Sequence, residues 1–247
     1  MNEEFFSSLY VSGIKIRERN DECYAFFLPI FKDFNSLKFN KNVTFFCGEN
    51  GSGKSTLLEA IAVSCGFNAE GGTKNFNFST SETHSDLYKF LSVEKGIKKP
   101  KDGFFLRAES FYNVASNIDE LDKIMPLLSS YGGKSLHKQS HGESFISLVA
   151  NRFGGNGLYI LDEPEAALSP MRQMSLLSMI YQLVEDNSQF IIATHSPILM
   201  AFPDADIFAF DDDKITLTSY KETENYTVTK QFLDNPERMV RYLFNSQ

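Results

Sequence analysis

The sequence has no apolar stretch approaching the roughly 20 residues that a membrane-spanning helix needs, so none of its 247 residues is read as part of a membrane span. Its start, Met1-Asn2-Glu3-Glu4, lacks the basic residues that open a secretory leader, and the expected compartment is cytoplasmic. Cysteine is scarce. Cys23, Cys47 and Cys65 are odd in number and lack a paired metal-type spacing, and two of them lie in apolar runs where a small buried thiol is common, which argues against a disulfide or a zinc site. Basic residues are outnumbered, and a net charge of −8 disfavours broad attraction to nucleic acid, because that affinity comes from Lys and Arg neutralising phosphates. The one basic run, Lys95-Gly96-Ile97-Lys98-Lys99-Pro100-Lys101, reads as a solvated loop tip, with a local binding patch as the alternative. Internal repeats and long heptad runs are missing too, which excludes solenoids and coiled coils. What remains is a chain with 42% hydrophobic residues, enough for one substantial core or a core carrying an inserted lobe.

Against these absences stands one contiguous motif. Gly48-Glu49-Asn50-Gly51-Ser52-Gly53-Lys54-Ser55 matches G-x-x-x-x-G-K-[ST], follows the apolar run Val43-Thr44-Phe45-Phe46-Cys47 and precedes the helical pattern Leu57 to Val63. Glycines at these positions let backbone N–H groups surround a β-phosphate, and the helix start aims its positive end at the anion. Lys54 neutralises the β/γ oxygens, the Ser55 hydroxyl suits Mg²⁺, and Thr56 completes the turn. The expected ligand is a nucleoside triphosphate.

The first forty residues contain two β-type runs, Ser8 to Ile16 and Cys23 to Leu28, which predict a hairpin ahead of the phosphate-loop strand. Between Gly66 and Lys138 the pattern changes to Ser/Thr/Asn-rich stretches and short helical segments. Among these, Ile118 to Leu128 carries Asn117 and Glu120 at capping-box spacing. The predicted organisation is a core lobe of residues 1–65 and 145–247 with an inserted, mainly helical lobe at 66–144. Strand-like runs at Leu158 to Leu161 and Gln189 to Ala193 flank a helix from Met171 to Val184, introduced by Ser169 as N-cap and Pro170; this is a parallel crossover unit in an α/β fold. A hairpin around Asp211 to Lys214 and a helix near Pro236 to Phe244 are expected at the end.

Two further strand ends carry chemistry. Leu158-Tyr159-Ile160-Leu161 runs into Asp162-Glu163-Pro164, and strand carboxyl ends line the ligand crevice of a parallel sheet. Asp162 is therefore expected on the Mg²⁺ side and Glu163 facing the attacking water. Ile191-Ile192-Ala193-Thr194-His195 puts a histidine at another strand end, where it becomes a γ-phosphate contact if the nucleotide lies there. Gln139-Ser140-His141-Gly142-Glu143-Ser144 precedes a helical segment, Phe145 to Asn151. By its residues alone it is an ordinary N-cap.

Taken together and in this order, the pieces resemble the ATP-binding-cassette (ABC) ATPases. Gly48 to Ser55 is similar to Walker A, Ser140-His141-Gly142-Glu143 to the signature Ser-Gly-Gly-Gln, Leu161-Asp162-Glu163-Pro164 to Walker B, Ala167-Leu168-Ser169 to the D-loop and His195 to the switch histidine. The whole chain also looks similar to a family of small, stand-alone, non-transporter predicted ATPases related to the DNA-repair and chromosome-maintenance branch. The resemblance implies an α/β P-loop NTPase fold of ABC type, with ATP and Mg²⁺ as cofactors. It implies hydrolysis with Glu163 and His195 as catalytic residues, and an ATP-dependent homodimer in which Ser140 and Gly142 close over the partner's nucleotide. Transport, or partnership with a separate effector in a defence system, remains the alternative, and a nucleic-acid or protein client is open. Three departures stand out. His141 replaces a signature glycine, Ser169 replaces the D-loop Asp, and residues 56–138 contain no glutamine to serve as the Q-loop ligand of Mg²⁺. Glu109, after Phe104-Phe105-Leu106, is the expected stand-in, and Tyr24 is the candidate aromatic for adenine.

Overall fold

A computed structural model describes residues 9–73, 85–107, 111–122, 135, 137 and 140–245. Four strands, β3 (Val43–Gly48), β5 (Asp102–Arg107), β6 (Gly157–Asp162) and β7 (Gln189–Ala193), read as near-continuous apolar runs rather than alternating ones, as expected of strands covered on both faces. They join β8 (Asp206–Asp211) and β9 (Lys214–Thr218) in a six-stranded sheet of order β5-β6-β7-β3-β8-β9, parallel except for the final antiparallel hairpin. Successive side chains of a strand enter opposite core layers. Phe46, Ile160 and Ile191 pack with Leu57, Leu58 and Ile61 of α2 (Lys54–Ser64) on one face. On the other, Phe45, Leu161 and Ile192 pack with Phe145 and Leu148 of α5 (His141–Arg152) and with Leu176 and Ile180 of α6 (Pro170–Glu185). Ser169 and Pro170 begin α6 as the sequence predicts.

The N-terminal hairpin is realised with different strands. β1 (Val11–Ile16) pairs antiparallel with β2 (Ser36–Lys38) and with β4 (Leu91–Lys95). Cys23 to Leu28, predicted as the second strand, instead forms a 3₁₀ turn, Tyr24–Phe27, leading into α1 (Pro29–Lys32). Local bonds from Phe26 N–H to the Cys23 carbonyl and from Leu28 N–H to the Ala25 carbonyl satisfy its backbone, and Pro29 has no N–H to offer a ladder. Arg19 fastens the segment by donating to the Phe31 and Phe34 carbonyls.

The segment 66–144, predicted as mainly helical, contributes one strand to each sheet, β4 and β5, beside helices α3 (Leu87–Phe90) and α4 (Phe111–Asp122) and the start of α5. Helix α4 begins earlier than predicted because buried Phe111, Ala115 and Ile118 recur on one face, so Asn117 lies inside the helix rather than capping it. Helices α7 (Glu224–Asp234) and α8 (Pro236–Asn245) follow the predicted final hairpin; α8 matches expectation, and α7 is an additional helix. Among the described residues no helix is long and apolar enough to cross a membrane.

Candidate functional site

The strand order sets four neighbouring strands, β5, β6, β7 and β3, with their carboxyl ends along one edge. That edge collects Arg107, Asp162 and Glu163, His195, and the loop from Gly48 to Ser55. Gly48 leaves β3 at φ +141°, and a Cβ there would lie 2.4 Å from the Phe210 carbonyl oxygen, so only glycine lets the chain turn beside β8. Gly51 and Gly53 also take positive φ. Lys54, at the first position of α2 and 3% exposed, donates to the carbonyls of Gly48 (2.9 Å) and Glu49 (2.7 Å). Burial pulls its pKa below the ordinary lysine value, against the opposing pull of the Glu163 and Asp162 charges. The Ser52 hydroxyl oxygen, in the same loop, is buried without a hydrogen-bond partner. A loop with three glycines at positive φ, a buried ammonium and an unpaired hydroxyl is suited to an anion with several oxygens.

Beside the loop, the Ser55 hydroxyl donates to Asp162 Oδ1 at 2.9 Å. Arg107 stands opposite Asp162 in the β5–β6 register. Its Nη1 lies 2.6 Å from Glu59 Oε2 and its Nε 3.5 Å from Asp162 Oδ2. Glu59 projects from α2 one turn beyond Ser55, and its other oxygen accepts from the Ser85 N–H at 3.0 Å.

Glu163 has left-handed backbone (φ +49°, ψ +52°), which costs a residue with a Cβ on the order of 1 kcal/mol and here turns the chain just past Asp162. Its N–H donates to the Ala193 carbonyl at 2.9 Å. Glu163 Oε1 and His195 Nε2 are 3.5 Å apart, too long for a good hydrogen bond, and Nε2 is buried without another partner. The loop that carries His195 is held from below, because its N–H donates to Glu165 Oε1 at 2.5 Å and Ser196 Oγ donates to Gln173 Oε1 on α6 at 2.5 Å.

At the start of α5, the Ser140 N–H donates to Glu143 Oε2 at 3.1 Å, and the Ser140 hydroxyl, then this N–H, with Arg172 adding to them, hold the Glu143 carboxyl below the usual carboxylate range. Arg172 of α6 reaches both Ser140 Oγ (3.3 Å) and Glu143 Oε1 (3.2 Å). A Cβ on Gly142 would lie 2.4 Å from Arg172 Nη1 and 2.8 Å from the Ala167 carbonyl oxygen. Gly142→Ala should therefore destabilise the fold by about 1–3 kcal/mol through overpacking, read as a lower unfolding temperature; an unchanged value would mean that α5 shifts freely.

The predicted residues thus fall into two groups. Gly48 to Thr56, Asp162, Glu163 and His195 meet at one edge, with Tyr24 lining a cavity of about 400 Å³ that also touches Ser55 and Thr56. No hydrogen bond or ion pair among the described residues joins Ser140 or Gly142 to that loop. Glu109 and Gln139 lie outside the described residues. Arg107 and Glu59 are not among the residues predicted from motifs; the available signal is the arginine directly after the apolar run Phe104 to Leu106.

Comparison with known families places a match to the family described as "AAA domain" over residues 27–145 and one to "AAA ATPase domain" over residues 135–200. An uncharacterized ABC transporter ATP-binding protein of Haemophilus influenzae is 27% identical over 225 residues, covering 80% of this chain and 81% of that protein. A putative ABC transporter ATP-binding protein of Caldanaerobacter subterraneus is 27% identical over 231 residues, covering 85% and 95%. The probable ATPase of retron Vc95 from Vibrio cholerae is 38% identical over 104 residues, which is 39% of this chain and 19% of that protein.

Proposed function

We propose that the chain is an ABC-type ATPase, a soluble, cytoplasmic enzyme that hydrolyses Mg-ATP between two copies of itself. The observation that carries this reading is that Ser140 and Gly142, whose sequence resembles a signature motif, make no hydrogen bond or ion pair among the described residues with the phosphate loop of their own chain. A second copy related by a two-fold axis would complete both sites at once.

In this reading Lys54 and the loop amides hold the β/γ-phosphates, and Tyr24 flanks the base. Magnesium fits the residues present: Ser55 and Asp162 offer hard oxygen donors 2.9 Å apart, and no group of three or more His, Cys, Asp or Glu among the described residues forms an all-protein cage. That is the sparse donor set Mg²⁺ uses when substrate phosphates and waters supply its other ligands. Bound there, the ion would neutralise phosphate charge. Glu163 takes the proton of the attacking water, His195 steadies the γ-phosphate, and Glu165 positions the loop that carries His195.

With Glu163→Gln to block turnover, ATP should shift the protein from monomer to dimer, because each nucleotide bridges two subunits. Ser140→Arg should abolish the shift and leave monomer ATP binding intact. Analytical ultracentrifugation giving one mass with and without ATP would remove the shared-site reading. The names of two relatives favour a transporter subunit instead, and co-purification with a polytopic membrane protein would carry that alternative. The retron relative favours an ATPase that serves a separate effector, and capture of such a chain by ATP-trapped Glu163→Gln would carry that one.

A further inference from the structure

We infer that Gln173 is a positioning residue for His195: its side-chain amide ties the loop that carries His195 to the segment that follows Glu163. The inference rests on the catalytic roles proposed for those two residues and adds the element that sets their separation. Gln173 is the fourth residue of α6. Its Nε2 donates to the Leu168 carbonyl at 3.0 Å, and its Oε1 accepts from Ser196 Oγ at 2.5 Å. The partners dictate which end of the amide is which. A carbonyl can only accept, so Leu168 takes the NH₂ end. The Ser196 hydroxyl accepts from the N–H groups of Ile198 (3.1 Å) and Leu199 (3.2 Å), which leaves its single proton for Oε1. Ser196 is 5% exposed, and the amide is therefore one of a small set of groups that fix a buried hydroxyl beside His195.

The place of this tie in the chain gives it its role. Glu163 precedes the 3₁₀ turn Pro164–Ala167 and Leu168 closes it, while Ser196 directly follows His195. The amide of Gln173 thus joins the two segments that hold Glu163 Oε1 and His195 Nε2 3.5 Å apart. That contact is too long to fix the imidazole by itself, and Nε2 has no hydrogen-bond partner, so the ring depends on its backbone for placement. Glu165 anchors the backbone at the His195 N–H, and Gln173 anchors it one residue later. Beyond these two anchors the loop borders a cavity of about 550 Å³ lined by Gln173, Ser196, Pro197, Ile198, Tyr220 and Tyr226, which gives it room to move once the amide is removed. A misplacement of about 1 Å in a reacting group can cost about 10²-fold in rate. Nucleotide affinity should be spared, because Gln173 makes no hydrogen bond or ion pair with the phosphate loop among the described residues.

The test uses the full chain and measures kcat for ATP hydrolysis beside ATP affinity by isothermal titration. Gln173→Met keeps the length and helix propensity of the side chain and removes both of its hydrogen bonds. It should lower kcat by roughly 10- to 100-fold while ATP affinity stays within about twofold of the natural value. Ser196→Ala cuts the same tie from the other end and should lower kcat in the same way. Because the two substitutions break one bond, the Gln173→Met/Ser196→Ala protein should be no slower than the slower single variant, whereas independent effects would multiply. Three results would overturn the positioning role: a natural kcat in Gln173→Met, losses that multiply in the double variant, or ATP affinity falling in step with kcat, which marks general damage to the fold. A different pattern separates this inference from its premise. If Glu163→Gln and His195→Ala both hydrolyse ATP at the natural rate, it is the catalytic assignment of those residues that fails.

Discussion

Glu163→Gln should reduce ATP turnover by about 10²–10⁴-fold, the usual contribution of a positioned general base, while ATP affinity stays the same or tightens. The substitution keeps the size and most of the hydrogen bonding of the side chain and removes only its basicity. The structure makes this a clean experiment, because the left-handed backbone at Glu163 is held by its N–H bond to the Ala193 carbonyl and not by its carboxylate. The neighbouring groups should respond differently. Asp162→Asn should weaken the Mg²⁺ dependence, since Asp162 meets the Ser55 hydroxyl, and His195→Ala should slow turnover without altering the metal requirement. Turnover at the natural rate in Glu163→Gln would sink the assignment. Glu165 would then be the next carboxylate to test, although its bond to the His195 N–H marks it as a positioning group.

The second large effect is on affinity. Lys54→Ala should weaken ATP binding by roughly 10- to 150-fold, because a charge-assisted hydrogen bond contributes about 1.5–3 kcal/mol. The ammonium sits inside the phosphate loop, on the Gly48 and Glu49 carbonyls, so a phosphate entering the loop meets it directly. Alanine at the first position of α2 is an excellent helix former, and the two carbonyls left behind belong to residues that reach solvent, so the fold should survive. Isothermal titration with ATP and Mg²⁺ measures the loss, and equal affinities in the two proteins would remove the phosphate-loop assignment.

Much of this site is legible in the order of the residues. The loop from Gly48 to Ser55 and the acidic pair Asp162-Glu163 are each contiguous, and each is announced by an apolar strand run, so local pattern and chemistry coincide. Where pattern and structure part, the cause is different. Cys23 to Leu28 has strand-like composition but satisfies its backbone through local turns, and the Phe104 to Leu106 run belongs to the core sheet, although the helical segments around it suggest an insertion.

By itself, then, the sequence determined that Val43 to Cys47, Leu158 to Leu161 and Gln189 to Ala193 are buried strands, where the phosphate loop turns, and which acids and histidine follow those strands, because each of these depends on a few neighbouring residues. Only the tertiary structure decided the order β5-β6-β7-β3 and its register. That order sets Arg107 opposite Asp162 and within reach of Glu59, 48 residues earlier in the chain. Periodicity reports that a strand will be covered but carries no address for its neighbour, so contacts made across strands emerge only when the sheet is assembled.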